Sequence, residues 1–239
     1  MPNDLERVRD RLATGELSDV AFGALLPPLL REKSAWCWTP IAVARRAALR
    51  FAEHGARRVL DVGCGPGKFC VAAALSQPGL NFVGVDRGVD LTITAKAVAE
   101  SLRVPNVEFN AGNALDAPWH DFDGFYFFNP FAEDWSSSPM ADWRGGNDTL
   151  LRVAELLSDA NRGTAVITYH GLGGAIPSNY DLFSEEPVGS SVLRVWIKNR
   201  SRVAAWYHLD YSAEVTRIPR RYFERKIAAQ KSFIRTTSD

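Results

Sequence analysis

The sequence has few cysteines and no long apolar segment. Its three cysteines, Cys37, Cys64 and Cys70, do not have metal-ligand spacing and fit a reducing compartment, so we expect neither a disulfide nor a metal site. The best apolar stretch, at 21–26, stops at Pro27, well short of the roughly 18 to 20 residues that a membrane span requires. The charged first residues lack the apolar core of a secretory signal. We therefore predict a cytoplasmic protein with no membrane partner.

Net charge is absent as well, because 28 Lys and Arg residues balance 28 Asp and Glu residues. A chain without excess positive charge is not expected to bind nucleic acid through bulk charge. The balance hides an asymmetry: residues 104–160 include ten acidic and two basic residues, whereas residues 194–239 include eleven basic and four acidic residues. The basic segment is interpreted either as a solvated helix face or as a contact surface for an anionic partner.

Apolar runs alternate with helical stretches through most of the chain. The runs predict strands at 58–62, 81–86, 107–110, 124–128 and 164–169, and helical spacing predicts helices at 68–76, 91–102 and 148–160. Strands that are apolar throughout indicate a parallel sheet with helices on both faces. Two further runs, at 180–187 and 191–198, predict an antiparallel hairpin at the end of the sheet. The expected fold is a doubly wound, Rossmann-like α/β/α sandwich with a mostly parallel seven-stranded sheet.

Helical segments precede this core. One is predicted at 5–31 with a break at Pro27, and another at 41–54 with Thr39 as its cap and Pro40 as its first helical residue. We expect three regions: an N-terminal helical cap (1–54), a core (55–199) and a basic C-terminal extension (200–239).

A glycine-rich loop follows the first strand. The strand ends at Asp61 and leads through the loop 63–67, Gly-Cys-Gly-Pro-Gly, into a helix. Glycine has no Cβ, so backbone amides can approach a ligand closely, as in nucleotide-type sites. Lys68 stands where the dinucleotide fingerprint needs its third glycine, which argues against NAD or FAD. Phe69 replaces the Ser or Thr of a phosphate-binding P-loop, so that site is excluded too.

The pattern Asp-x-Gly-x-Gly-x-Gly resembles motif I of the class I, Rossmann-like S-adenosylmethionine methyltransferases. The resemblance implies that the loop wraps the methionine part of the cofactor, that Asp61 holds its amino end and that Asp86 binds the ribose hydroxyls. Residues 111–116 resemble the family's adenine-binding segment, with Asn113 in place of the usual Asp. The segment 36–40 resembles a Thr-Pro segment beside the cofactor carboxylate of some adenine methyltransferases, although a plain helix start is the alternative. The implied cofactor site comprises Thr39, Asp61, Gly63, Cys64, Gly65, Gly67, Asp86, Arg87, Asn113, Ala114 and Asn129.

A second motif follows the fourth strand, at the sheet edge where ligands bind in this class of fold. Asn129-Pro130-Phe131 resembles motif IV of amino-group methyltransferases, which implies that Asn129 accepts protons from the target nitrogen and that Phe131 stacks on it. This chain has one proline where the motif has two, and a turn that closes a buried strand is the alternative. His170 ends the fifth strand and is a candidate base in the same cleft. Asn129, Pro130, Phe131 and His170 are therefore the candidate catalytic residues.

Together these features predict an S-adenosylmethionine-dependent methyltransferase with a small-molecule or protein acceptor. Nucleic acid ranks second, because the acidic region 104–160 would repel it while the basic C-terminal segment could attract it. A regulatory module that binds the cofactor without catalysis is a further alternative, favoured by the shortened second motif. The sequence carries no signal for the oligomeric state.

Overall fold

The apolar runs form one sheet. A computed structural model describes residues 4–34, 37–128, 130, 143–173 and 176–199, with side chains from residue 148 onward in the fourth range. Its strands are β1 (Arg58–Val62), β2 (Asn81–Asp86), β3 (Val107–Ala111), β4 (Gly124–Phe127), β5 (Ala165–Tyr169), β6 (Tyr180–Val188) and β7 (Ser191–Lys198). They lie in the order β3-β2-β1-β4-β5-β7-β6. Strands β1 to β5 are parallel, and β7 pairs antiparallel with both β5 and β6, which confirms the predicted fold class and hairpin.

Helices cover both faces of this sheet. They are α1 (Asp4–Thr14), α2 (Asp19–Gly23), α3 (Pro28–Arg31), α4 (Ile41–Glu53), α5 (Lys68–Ser76), α6 (Val89–Ser101) and α7 (Trp143–Asp159), with 3₁₀ turns at Ala114–Asp116 and Trp119–Asp121. Helices α4, α5 and α6 share one buried cluster with α1 and α2, while α7 and the second 3₁₀ turn pack on the opposite face. Burial of these apolar faces provides the main driving force for folding. In the described part of the chain, no helix has the length and apolar character to cross a membrane.

The N-terminal helical region is more broken than predicted. The single helix expected at 5–31 is interrupted near Gly15, which has a φ of +83°, and again at Pro27. A new helix, α2, begins after Ser18, whose Oγ accepts a hydrogen bond from the backbone N–H of Ala21 at 3.1 Å. Glycine in the left-handed region and a serine cap are both standard helix boundaries, so the break has a local cause.

The predicted cap of α4 is wrong. The helix begins at Ile41, so Pro40 occupies the cap position and has no side chain that can accept a hydrogen bond. Instead, Asp19 Oδ1 accepts a hydrogen bond from the backbone N–H of Ile41 at 3.0 Å. Thr39 lies one residue too early to cap the helix, and its hydroxyl is 3.1 Å from the hydroxyl of Tyr126. The capping oxygen therefore comes from another helix.

The strand order creates a crevice near the centre of the sheet. From β1 the chain moves outward through β2 to β3 and then returns to place β4 on the other side of β1. The connections that leave β1 and β4 therefore diverge, which opens a space at the carboxyl ends of these strands. The glycine loop after β1 and the segment after β4 both lie at this edge.

Candidate active site

The glycine loop between β1 and α5 depends on backbone conformations that favour glycine. Gly63, Gly65 and Gly67 have φ angles of +77°, +55° and +78°. A Cβ on Gly65 would lie 2.6 Å from Nε1 of Trp38, and one on Gly67 would lie 2.7 Å from Cζ of Phe109. Any larger residue at these two positions would meet both an unfavourable φ and a steric clash. The narrow loop is therefore fixed by its backbone and by its neighbours.

Asp86, at the end of β2, braces the loop. Its Oδ2 accepts a hydrogen bond from the backbone N–H of Gly65, and its Oδ1 accepts one from Gly88, both at 2.8 Å. The carbonyl of Val85 accepts hydrogen bonds from Gly63 and Cys64 at 2.9 and 3.1 Å. Each carboxylate oxygen can accept more than one hydrogen bond, so Asp86 keeps acceptor capacity for ligand hydroxyls. This bracing role is additional to the ribose-binding role that the resemblance implies.

Asp61 lies below the loop with only 3% of its surface exposed. The Cys70 thiol donates a hydrogen bond to its Oδ2 at 3.4 Å. The pKa of Asp61 is raised to about 7, mainly because the carboxyl is buried; the bond from Cys70 opposes this shift, and the charge of Asp86 adds to it. A cation placed beside such a carboxyl would favour its charged form. The site therefore suits a positively charged group.

The segment after β3 is held by two hydrogen bonds. Asn113 Oδ1 accepts one from the backbone N–H of Leu115 at 3.2 Å, which caps the first 3₁₀ turn. The indole N–H of Trp119 donates to the carbonyl of Ala114 at 2.8 Å. Asn113 thus has a capping role that was not predicted, and its amide NH₂ is the remaining group that could contact a ligand.

Aromatic side chains gather at the ends of β4 and β5. Phe128 stacks on Tyr169 with ring centroids 5.7 Å apart, and the His170 ring meets Phe128 edge-on at 5.3 Å. Pro130 lies beside the glycine loop, since a Cβ on Gly63 would be 3.1 Å from the Cβ of Pro130. His170 has a φ of +61°, a left-handed conformation that is costly for a residue other than glycine and is often found at functional sites.

The segment before α4 covers the loop from the opposite side. Trp38 packs its indole against Gly65, and Thr39 contacts Tyr126, whose ring stacks on Phe69 at 3.7 Å with an interplanar angle of 4°. Thr39 is buried, and Trp38 is partly buried. The crevice is therefore bounded by this segment as well as by the strand ends.

Comparison with known proteins finds a family similarity in the central part of the chain. Residues 53–132 match the family model of a methyltransferase domain. This range runs from the end of α4 to just beyond β4 and includes the glycine loop, Asp86 and Asn113. Over these residues the chain is similar to a methyltransferase domain, and its sheet has a Rossmann-like fold that is shared with a solved methyltransferase.

Proteins that are similar to this chain match it over different lengths. A protein of Geobacillus sp. (strain WCH70), named only as a methyltransferase, is 27% identical over 139 residues, or 58% of this chain and 53% of that protein. A tRNA (guanine-N(7)-)-methyltransferase of Microcystis aeruginosa is 39% identical over 59 residues, or 25% of this chain and 28% of the relative. A crystal structure of a Geobacter sulfurreducens methyltransferase shares the fold, with a TM-score of 0.54 and 18% identity over 80% of this chain and 97% of that chain. The chain therefore spans about half or less of the length of these two sequence relatives.

The fold brings most of the predicted residues to one edge of the sheet. Asp61 lies near the end of β1, and the loop residues Gly63, Cys64, Gly65 and Gly67 follow that strand. Asp86 ends β2 and exposed Arg87 follows it, while Asn113 and Ala114 follow β3. Thr39 approaches from the N-terminal side, while Pro130 and His170 follow β4 and β5. Asn129 and Phe131 lie outside the described residues. Their roles, like those of the other site residues, stay predictions.

Three residues near this candidate site are not singled out by the sequence patterns. Phe128 supports His170, Tyr126 supports Thr39, and Lys68 binds the N-terminal helices. Tyr126 pairs with Asp61 in the register of β4 with β1. The alternation of side chains along β4 is the sequence signal that could have indicated this position. In the sequence, Lys68 stands out only as a departure from the dinucleotide fingerprint.

Proposed function

We propose that this domain binds S-adenosylmethionine at the glycine loop and transfers its methyl group to an acceptor beside the ends of β4 and β5. The main support for this proposal is the glycine loop. Its three glycines have positive φ angles, Asp86 braces it, and the buried carboxyl of Asp61 lies below it. When bound, the cofactor supplies an electrophilic methyl group on a sulfonium.

The residues fit the parts of this cofactor. Its ammonium group would pair with the carboxylate of Asp61. Burial disfavours the charged form of Asp61, and a nearby cation would stabilise that form. Its ribose hydroxyls would donate to the free acceptor capacity of Asp86. Its adenine would lie near Asn113, whose position is fixed by the 3₁₀ turn that it caps. These assignments agree with the roles that the motif I resemblance implies.

The residues on the acceptor side would align the acceptor with the methyl group. Methyl transfer is a displacement, so the protein contributes mainly alignment and exclusion of water. Pro130 beside the glycine loop and Phe128 beside His170 would orient the acceptor. For an acceptor that must lose a proton, His170 is the proton acceptor, a role worth roughly 10²- to 10⁴-fold in rate.

A small molecule or a protein side chain is the proposed acceptor, because the chain has no net charge and residues 104–160 are acidic. A nucleic-acid acceptor is the second candidate. It is favoured by the basic segment 194–239 and by similarity to a tRNA methyltransferase, which covers 25% of this chain.

Calorimetry with S-adenosylmethionine tests the cofactor proposal. Gly65→Val and Asp86→Ala should abolish binding, because one blocks the loop and the other removes its brace. Gly163→Ala is a matched control, since Gly163 also has a positive φ but a Cβ there would meet nothing within 4 Å. The proposal would be refuted if the wild-type protein showed no binding at millimolar concentrations of S-adenosylmethionine.

Transfer of radiolabelled methyl groups in a cell extract tests the acceptor. Label that survives nuclease but not protease digestion identifies a protein, and the reverse identifies nucleic acid. His170→Gln should lower turnover by about 10²-fold or more while cofactor affinity is unchanged. Cofactor binding without any labelled product would instead support a regulatory module.

A further inference from the structure

Lys68, the first residue of α5, places an ammonium group in the protein interior. The residue has 0% of its surface exposed. Its Nζ lies 2.6 Å from Asp19 Oδ1 in α2 and donates a hydrogen bond to the carbonyl of Ser34 at 2.5 Å. Burial lowers the pKa of Lys68, and the bond to Asp19 opposes this shift. A charge buried to this degree requires its partners, so α5 is attached to the N-terminal helical region at two points.

Asp19 extends this attachment to α4. The same Oδ1 that pairs with Lys68 accepts the backbone N–H of Ile41, and the backbone carbonyl of Asp19 accepts the hydroxyl of Ser34 at 3.2 Å. Ser34 and Ile41 lie on either side of the segment 37–40. The pair therefore fixes both flanks of this short segment.

The segment 37–40 is the part of the N-terminal region that meets the glycine loop. Trp38 packs against Gly65, and Thr39 bonds to Tyr126 below it. Lys68 directly follows Gly67, the last glycine of the loop. One ion pair thus connects the end of the loop with the segment that covers it.

We infer that Lys68 and Asp19 are positioning residues that hold Trp38 against Gly65 and so set the affinity for the cofactor. This inference rests on the proposed function, because it assumes that the loop binds S-adenosylmethionine. Asp19 keeps 32% of its side chain exposed and can be solvated when its partner is lost. Removal of the pair should therefore loosen the covering segment more than it disrupts the fold.

The test compares two buried lysines in the full chain. Lys68→Met removes the pair, whereas Lys198→Met removes another buried lysine, whose Nζ donates to the carbonyl of Ser158 at the end of α7. In ligand-free protein, hydrogen exchange at residues 37–41 should accelerate about tenfold in Lys68→Met and stay unchanged in Lys198→Met. The dissociation constant for S-adenosylmethionine should rise about tenfold in Lys68→Met alone, and Asp19→Asn should reproduce both effects.

A Trp38→Ala background separates positioning from general damage. If the pair acts through Trp38, adding Lys68→Met to Trp38→Ala should change cofactor affinity by less than about twofold. If Lys68→Met does not fold, the same exchange and affinity measurements are made on Asp19→Asn. Equal exchange and equal affinity in wild type and both variants would overturn the inference. Wild-type protein without cofactor affinity would refute the proposed function and the affinity claim together, while exchange at 37–41 would still show whether the pair holds the segment.

Discussion

Replacing Asp61 with Asn should change how the stability of the protein depends on pH. Burial is the main reason that the pKa of Asp61 rises from 3.8 to about 7 in the folded protein. The unfolded chain therefore releases this proton at lower pH than the folded protein does. Folding is favoured by this group at low pH, and that contribution is lost as the pH rises from about 4 to about 7. Asn cannot ionise, so the variant avoids the loss.

The magnitude follows from the two pKa values. Each unit of pKa difference corresponds to about 1.4 kcal/mol, and part of the loss has already occurred at pH 5 because the unfolded carboxyl is ionised there. Between pH 5 and pH 8, the free energy of unfolding of Asp61→Asn should therefore rise relative to wild type by about 2.5 kcal/mol. Any constant offset, such as an altered hydrogen bond with Cys70, does not affect this difference.

Urea unfolding of the ligand-free proteins at pH 5, 6.5 and 8, followed by tryptophan fluorescence, measures the effect. Glu100→Gln, at an exposed position on α6, is the control and should show no such trend. His54 has a pKa lowered by burial, but it is present in both proteins and cancels in the comparison. A stability difference between Asp61→Asn and wild type that varies by less than about 0.5 kcal/mol over this range would refute the reasoning.

Other substitutions test the packing around the site. Gly65→Ala should lower the melting temperature more than Gly163→Ala does, because only the first Cβ would meet Trp38, at 2.6 Å; equal losses would contradict the clash. Glu186→Gln should lower the free energy of unfolding by about 1 kcal/mol at pH 7, measured in urea, because Glu186 bonds Arg46 and Arg50 of α4 at 2.6 to 2.9 Å. Hydrogen bonds from these arginines lower the pKa of Glu186 to about 2, so the difference should shrink as the pH falls from 4.5 toward 2, and a constant difference would contradict this. Lys198→Met should cost about 2 to 3 kcal/mol with cofactor affinity unchanged, since it removes bonds to the last carbonyls of α7.

Local patterns in the sequence were sufficient for the fold class and for part of the site. The runs that became β1, β2, β4 and β5 are largely apolar because both sheet faces are covered there, and the hairpin of β6 and β7 is specified by its short loop. The glycine loop is also local, since its shape depends on φ angles that glycine adopts at low cost. The carboxyl ends of parallel strands share one edge of the sheet, so the positions of Asp61, Asp86 and Asn113 followed from their place at or just after these strand ends.

Contacts between distant residues were decided only by tertiary packing. Asp19 caps α4 from 22 residues away, and Thr39 bonds to Tyr126, 87 residues later in the chain. The pair of Lys68 with Asp19 and the approach of Phe128 to His170 likewise join separate elements. A residue's neighbours in sequence determine its preference for helix, strand or turn. Its burial, its pKa and its distant partners depend on which surfaces pack together. For this reason the sequence alone predicted the glycine loop, but it did not predict the ion pair of Lys68 with Asp19 next to the segment 37–40 that covers the loop.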